Sequence, residues 1–274
     1  MAPDHGSRRW LTAMAHGVPR NAARMNDAPK TADGVSVLTL RFHVLDGGPD
    51  WPVVGVYVNG EGPFEKVAKG WQGFDPAEIL GASSPLVPDD AGRRVAVYRC
   101  SCGVAGCGVI APVIVASPDR KRISWVDFRD YTGVFGGPAE PEAGDHEGTP
   151  WDLRDIHFDH DQYVAEVQRA TSDRSWETPR RRTARLLEEH LRPLDLVLPP
   201  TLTMRWVGPA WKQEGVVLSF EATIAEGDKW HHSQQMLRLT SARADPAGAA
   251  DDMAEQLLST APDDWVRAFG FHAR

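Results

Sequence analysis

The stretch of the chain with the most pointed chemistry is Tyr98-Arg99-Cys100-Ser101-Cys102-Gly103-Val104-Ala105-Gly106-Cys107-Gly108, which gathers all three cysteines. Cys100 and Cys102 stand two apart, so on an extended strand they share a face. Gly103 and Gly106 permit the positive φ of a tight turn, and such a turn returns Cys107 to the pair. Three thiolates brought together suit a soft cation, and zinc completes its tetrahedron with a fourth ligand. His157 and His160, at the entry to a helix, are the candidate fourth ligands; His146 is a weaker one, and water is the alternative. Zinc modules commonly use paired C-x-x-C knuckles, and C-x-C with C-x4-C is less diagnostic. Three readings therefore stay open: a zinc site, small thiols buried where a strand meets a glycine-forced turn, and thiol redox chemistry. A Cys100–Cys102 disulfide is disfavoured, because i, i+2 residues on a strand sit near the upper limit for bridging.

Other constellations have plainer explanations. His231-His232 follows Trp230 between two predicted strands, where adjacent histidines on a turn are ordinarily exposed. Arg180, Arg181, Arg182 and Arg185 form a basic cluster at a helix start; it offers a phosphate or nucleic-acid contact, or else a solvated face pairing with Glu188 and Glu189. Asp159, Asp161 and Glu166 could serve acid–base chemistry, but capping and solvation account for them. Of ten tryptophans, Trp125, Trp151, Trp206, Trp211 and Trp265 sit among apolar neighbours and read as core. There is no P-loop, G-x-G-x-x-G, G-x-S-x-G or H-E-x-x-H.

The elements that must position the cysteines come from pattern. Val95 to Arg99 reads as a strand running into the cysteine segment, and Val109 to Ala116 as the strand leaving it. Arg122 to Phe128 pairs back through a hairpin loop at 117–121. Upstream, Val35 to Leu45 and Val53 to Val58 read as strands, and Asp75-Pro76 as the capped start of a short helix ending near Gly81. Residues 136–150, rich in Gly, Pro and acid, read as a mobile loop. Asp159 caps a helix to about Ala170, and Thr178-Pro179 opens another carrying Leu186, Leu187 and Leu191. Strands follow at Thr201 to Val207, Val216 to Ile224 and Gln234 to Thr240. Helical patterns close the chain at Ala247 to Leu258 and Asp263 to Phe269.

Strands come in runs and then helices, which predicts an α+β fold of mainly antiparallel sheets with a few flanking helices, in two subdomains. The expected division is a disordered leader over 1–33, a sheet-rich domain over 34–172 carrying the cysteine turn, and a small α+β domain over 173–274. Met25 is an alternative start within the leader. With 274 residues and 42% hydrophobic residues, the chain can bury a core without metal or disulfide.

The 38 acidic and 30 basic residues give a net charge of -8, which works against non-specific binding to nucleic acid or anionic lipid. Three clustered cysteines do not make a secreted disulfide framework, and no apolar run is long enough for a bilayer, so the expected setting is the reducing cytoplasm.

Tyr98-Arg99-Cys100-Ser101-Cys102-Gly103, then Gly106-Cys107, Ser124-Trp125-Val126-Asp127-Phe128 and Phe158-Asp159-His160-Asp161-Gln162-Tyr163, resemble an uncharacterised bacterial protein family. Its members carry a C-S-C-G-x-x-G-C turn between two strands, a W-x-D-F strand and an F-D-x-x-Q-Y helix start. The resemblance covers residues 36 to 170 and departs at Val104-Ala105, where relatives have bulkier residues. The C-terminal part resembles an actinobacterial extension. The resemblance implies a shared fold and assigns no catalytic residue.

The function expected on these grounds is that of a non-catalytic cytoplasmic binding or interaction protein for a protein or small-molecule partner, with a three-cysteine turn that can hold zinc. The alternatives are an enzyme using the cysteines as a metal or thiol redox site and, more weakly, a nucleic-acid-associated regulator.

Overall fold

The computed structural model describes residues 34–270 apart from 46, 82–83, 89–90, 194–197, 199–201 and 227–228, and it gives the backbone alone over 224–226 and 229–232. The expected leader and the Met25 start lie outside the described residues. In chain order the elements are β1 (Leu38–Val44), β2 (Pro52–Val58), β3 (Gln72–Gly73), α1 (Pro76–Ile79), β4 (Arg93–Arg94), β5 (Tyr98–Arg99), β6 (Val109–Ala116), β7 (Arg122–Asp130), β8 (Thr149–Pro150), β9 (Ile156–Asp159), α2 (His160–Ser172), α3 (Pro179–Leu191), β10 (Leu202–Pro209), β11 (Val216–Glu226), β12 (Lys229–Leu239), α4 (Pro246–Leu258) and α5 (Trp265–Phe269). The fold is α+β, with antiparallel pairing between all of these strands.

The largest sheet runs β3-β5-β6-β7-β8, with β4 also on β6 and β9 also on β7. It carries the cysteine turn between β5 and β6. The strand expected over Val95 to Arg99 is interrupted: Val95 bridges Ala139, and the Ala96 N–H donates to Pro138 O. Pro112 faces this gap from β6 and has no N–H to give the ladder, though its carbonyl accepts from Val95 N. Residues 136–150, expected as a mobile loop, instead hold a 3-10 turn over Pro141–Asp145 with Ala143 buried, followed by β8 paired to β7.

Caps lie where the side-chain chemistry places them. Asp75 and Glu78 form a capping box on α1, and Asp159, Thr178 and Asp245 accept from the first-turn amides of α2, α3 and α4. Helix α2 packs against the outer edge of β1 through its side chains. Gln162 both accepts from Leu38 N and donates to Leu38 O, and Glu166 accepts from Leu40 N at 2.6 Å while Arg169 donates to Leu40 O at 2.7 Å. Amide, carboxylate and guanidinium thus stand in for the missing neighbouring strand and blunt an edge that could pair with another chain.

Two apolar clusters form. One draws on residues from Leu38 to Ala170, around Trp125, Phe158 and Tyr163; the other on residues from Ala184 to Trp265, around Leu187, Leu218 and Leu257. Residues 173–182, which open the expected C-terminal domain, are tied to the N-terminal part of the chain. Buried Arg181 donates to Asp50 O at 2.8 Å and ion-pairs with Asp75, while Thr178 donates to the Asp50 carboxylate. Trp51 and Trp211 meet edge-to-face at 4.6 Å, joining the segment before β2 to the loop after β10.

Burial raises the Glu166 carboxyl, but the Arg169 guanidinium and the Leu40 N–H outweigh it and hold the group below its ordinary value of 4.5. A carboxylate held down in the folded state contributes stability that is present above pH 4.5 and lost as pH falls through the folded value. Glu166→Gln is therefore expected to destabilise the protein at neutral pH, with the deficit shrinking as pH drops below about 4.5. Chemical denaturation of both proteins across that range measures the difference, and a pH-independent deficit contradicts the assignment.

Candidate metal centre

The β5–β6 ladder positions the cysteine turn. Arg99 pairs with Val109, and the pairing continues one step further as Cys100 N–H donates to Gly108 O at 3.0 Å. Within the closed loop, Gly103 N–H returns to Cys100 O at 2.9 Å, and a 3-10 helix over Ala105–Cys107 brings Cys107 back. The loop is pinned to the body as well. Gly133 N–H donates to Gly106 O at 2.8 Å, and Ala105 within the turn is buried.

Two glycines are needed here. Gly103 has φ +82°, and a Cβ on it would lie 3.1 Å from the Gln72 amide nitrogen. Gly108 lies so close to Trp71 and Asp130 that a Cβ would sit 3.0 and 3.1 Å from them. Gly106, by contrast, does not take the expected positive φ, because it is part of the 3-10 helix.

The outcome is convergence. The sulfurs of Cys100, Cys102 and Cys107 all lie within 4.8 Å of one another. Three sulfurs bound to one zinc at ~2.3 Å stand about 3.8 Å apart, so the thiols need close by only about an ångström. Cys102 and Cys107 are exposed and Cys100 is half-buried. That removes the reading of these cysteines as buried packing residues, for which little exposure is required.

The histidine candidates are elsewhere. His157 on β9 faces Ser124 of β7, and its Nδ1 lies 2.8 Å from the Ser124 hydroxyl. Ser124 in turn faces Val115 on β6. The cysteines flank Val109 at the other end of that strand, six residues away at ~3.4 Å each, about 20 Å. His160 sits at the same far end, its N–H on Lys121 O and its ring beside Asp161 at 3.0 Å. Among the described residues, the cluster of metal-capable groups at the turn consists of the three cysteines, without His157, His160 or His146. The helix entry follows the turn in sequence, but β6 and β7 intervene as full-length strands and carry the chain away.

Groups that the sequence does not tie to the turn buttress it. Asp130 accepts from Val109 N at 2.8 Å, and Trp151 donates its indole N–H to Val109 O at 3.1 Å. Trp151 meets Trp71 edge-to-face at 5.3 Å. Burial raises the Asp130 carboxyl above its ordinary range against the lowering effect of the backbone amides it accepts from. Arg99, beside Cys100, is turned over the Phe74 ring at 5.0 Å and reaches Glu78 at 3.5 Å. These contacts come from residues 20 to 80 positions away, where no local pattern signals them.

The remaining constellations resolve into structure. Arg180 pairs with Asp50, Arg181 with Asp75, and Arg185 with Glu177 and Glu189, which spends three of the four cations of the basic cluster on carboxylates. Asp159 caps α2 and Glu166 secures β1. The backbone of His231 and His232 lies in strand β12 and not on a turn; their side chains are outside the described residues. Trp125 and Trp265 are core, Trp151 is half-buried, and Trp206 and Trp211 are 41% and 52% exposed, so core packing does not explain all five. No helix among the described residues is long and apolar enough to cross a membrane.

No family model, no curated protein and no solved structure matches the chain.

Gly103→Ala tests the geometry of the turn independently of any metal. Forcing a Cβ into the left-handed region is expected to cost about 1–2 kcal/mol, measured by urea denaturation. An unchanged midpoint contradicts the conformation described for the turn.

Proposed function

We propose that the chain is a non-catalytic binding or interaction protein whose cysteine turn holds one thiophilic cation, with zinc the expected occupant. The observation that carries this is the approach of all three sulfurs to within 4.8 Å on a turn held by backbone hydrogen bonds. Thiolates are soft donors, and zinc accepts them without redox change or strong geometric demand. Three thiolate charges on the metal weaken it as a Lewis acid, which argues against metal-assisted hydrolysis. Both apolar clusters form without the cysteines, which argues for an ion that adds to a folded protein.

The same proximity, with Cys102 and Cys107 exposed, favours a second reading as a thiol pair that closes to a disulfide on oxidation. Metal content separates the two.

Protein purified anaerobically is expected to carry about one equivalent of zinc, lost on chelation and in Cys102→Ser, and retained in His157→Ala and His160→Ala. Chelation is expected to lower stability by about 4 kcal/mol at free zinc a thousandfold above Kd, leaving a folded apo-protein. Elemental analysis with thermal melting measures both. Metal-free protein that takes up no zinc, with a stoichiometric disulfide after mild oxidation, favours the thiol reading instead.

A further inference from the structure

We infer that the bound ion keeps one coordination position open to solvent and that this position takes an exogenous small-molecule thiol as its thiolate. This rests on the metal-site reading above. Four observations lead to it. The turn supplies three sulfurs, and among the described residues no histidine or carboxylate joins them. Zinc in proteins fills four positions, so one must be supplied from outside the described residues. Cys102 and Cys107 are exposed, and Val104 at the tip of the turn is 56% exposed, so the described residues leave the approach open. Finally, the turn is fixed at Cys100–Gly108 and at Gly106–Gly133, so an incoming ligand meets a preformed site and no backbone has to order around it.

The choice of thiol follows from charge transfer. Three thiolates soften the metal, and a softened metal favours a polarisable fourth donor over a carboxylate or water. Binding exchanges one ligand for another. The thiol sulfur forms a metal–sulfur bond, its proton passes to solvent, and a bound water leaves with both electrons of its own bond. Nothing is oxidised or reduced. A coordinating thiol is deprotonated outright, so the site holds a small thiol as its anion at a pH where the free thiol is mostly protonated.

Cobalt(II) in place of zinc makes the coordination visible. Protein is loaded with one equivalent of Co2+ anaerobically, with a phosphine reductant in place of thiols, and then titrated with 2-mercaptoethanol. A parallel titration uses imidazole. The expected result is a saturable rise of about a third in the sulfur-to-cobalt charge-transfer band, as three Co–S bonds become four. One proton is released per thiol bound, and imidazole binds more weakly. If Co2+ gives no thiolate charge transfer at one equivalent, or if Cys102→Ser gives the same spectrum, the metal-site reading itself fails. If Co2+ binds with three-thiolate intensity but thiol leaves the bands unchanged, or strips the metal, the open-position inference alone is overturned. It is equally overturned if the loaded protein shows four-sulfur intensity before any thiol is added and elutes as a dimer on gel filtration, with a second copy filling the position.

Discussion

The hydrogen bond from Cys100 N–H to Gly108 O extends the β5–β6 ladder by one step, and the geometry of the cysteine turn depends on it. It fixes where the loop leaves and re-enters the sheet, so the residues between have little freedom. Gly103 in the left-handed region and the 3-10 helix over Ala105–Cys107 then decide which way the sulfurs face. Backbone groups achieve this closure, and the sulfurs lie within 4.8 Å of one another on the turn they hold. An ion arriving at such a site does not have to offset the entropy of ordering the loop, which is the main cost when a disordered segment folds around a metal.

The strand under the turn is held by separate contacts. Val109 has its N–H held by Asp130 and its carbonyl held by Trp151, so the strand that receives the turn is clamped from the β7 side. Further away, Arg181 reaches from the start of α3 to Asp50 and to Asp75, the cap of α1, linking the sequence regions of the two apolar clusters. A nearly buried guanidinium with a carboxylate and a carbonyl as partners is costly to leave half-made, because removing one partner strands a charge. Its contribution to net stability is a different matter, but it does fix how residues 173–182 connect.

Much of this was legible in the sequence. The caps at Asp75, Asp159, Thr178 and Asp245 are short-range signals, and each marks a helix start. The glycine at position 103 and the spacing of the three cysteines pointed to convergence for a local reason. Long-range placement is what the sequence does not show. Histidines that follow the cysteines in sequence as a helix entry were natural partners, yet the β6–β7 hairpin puts about 20 Å of strand between them. Asp130, Trp71 and Trp151 support the turn from distant positions, and nothing around them in sequence announces it. The interruption at Val95–Val97 depends on Ala139 and Pro138 from a remote loop, so the apolar pattern alone read as one continuous strand.

The central claim is that three sulfurs of this turn share one ion. Zinc K-edge X-ray absorption of the zinc-loaded protein, prepared without added thiol, tests it most directly. The account predicts a shell of three sulfurs near ~2.3 Å and one light scatterer near ~2.0 Å, with no imidazole multiple-scattering pattern. A first shell dominated by nitrogen and oxygen, or an imidazole signature, would contradict it.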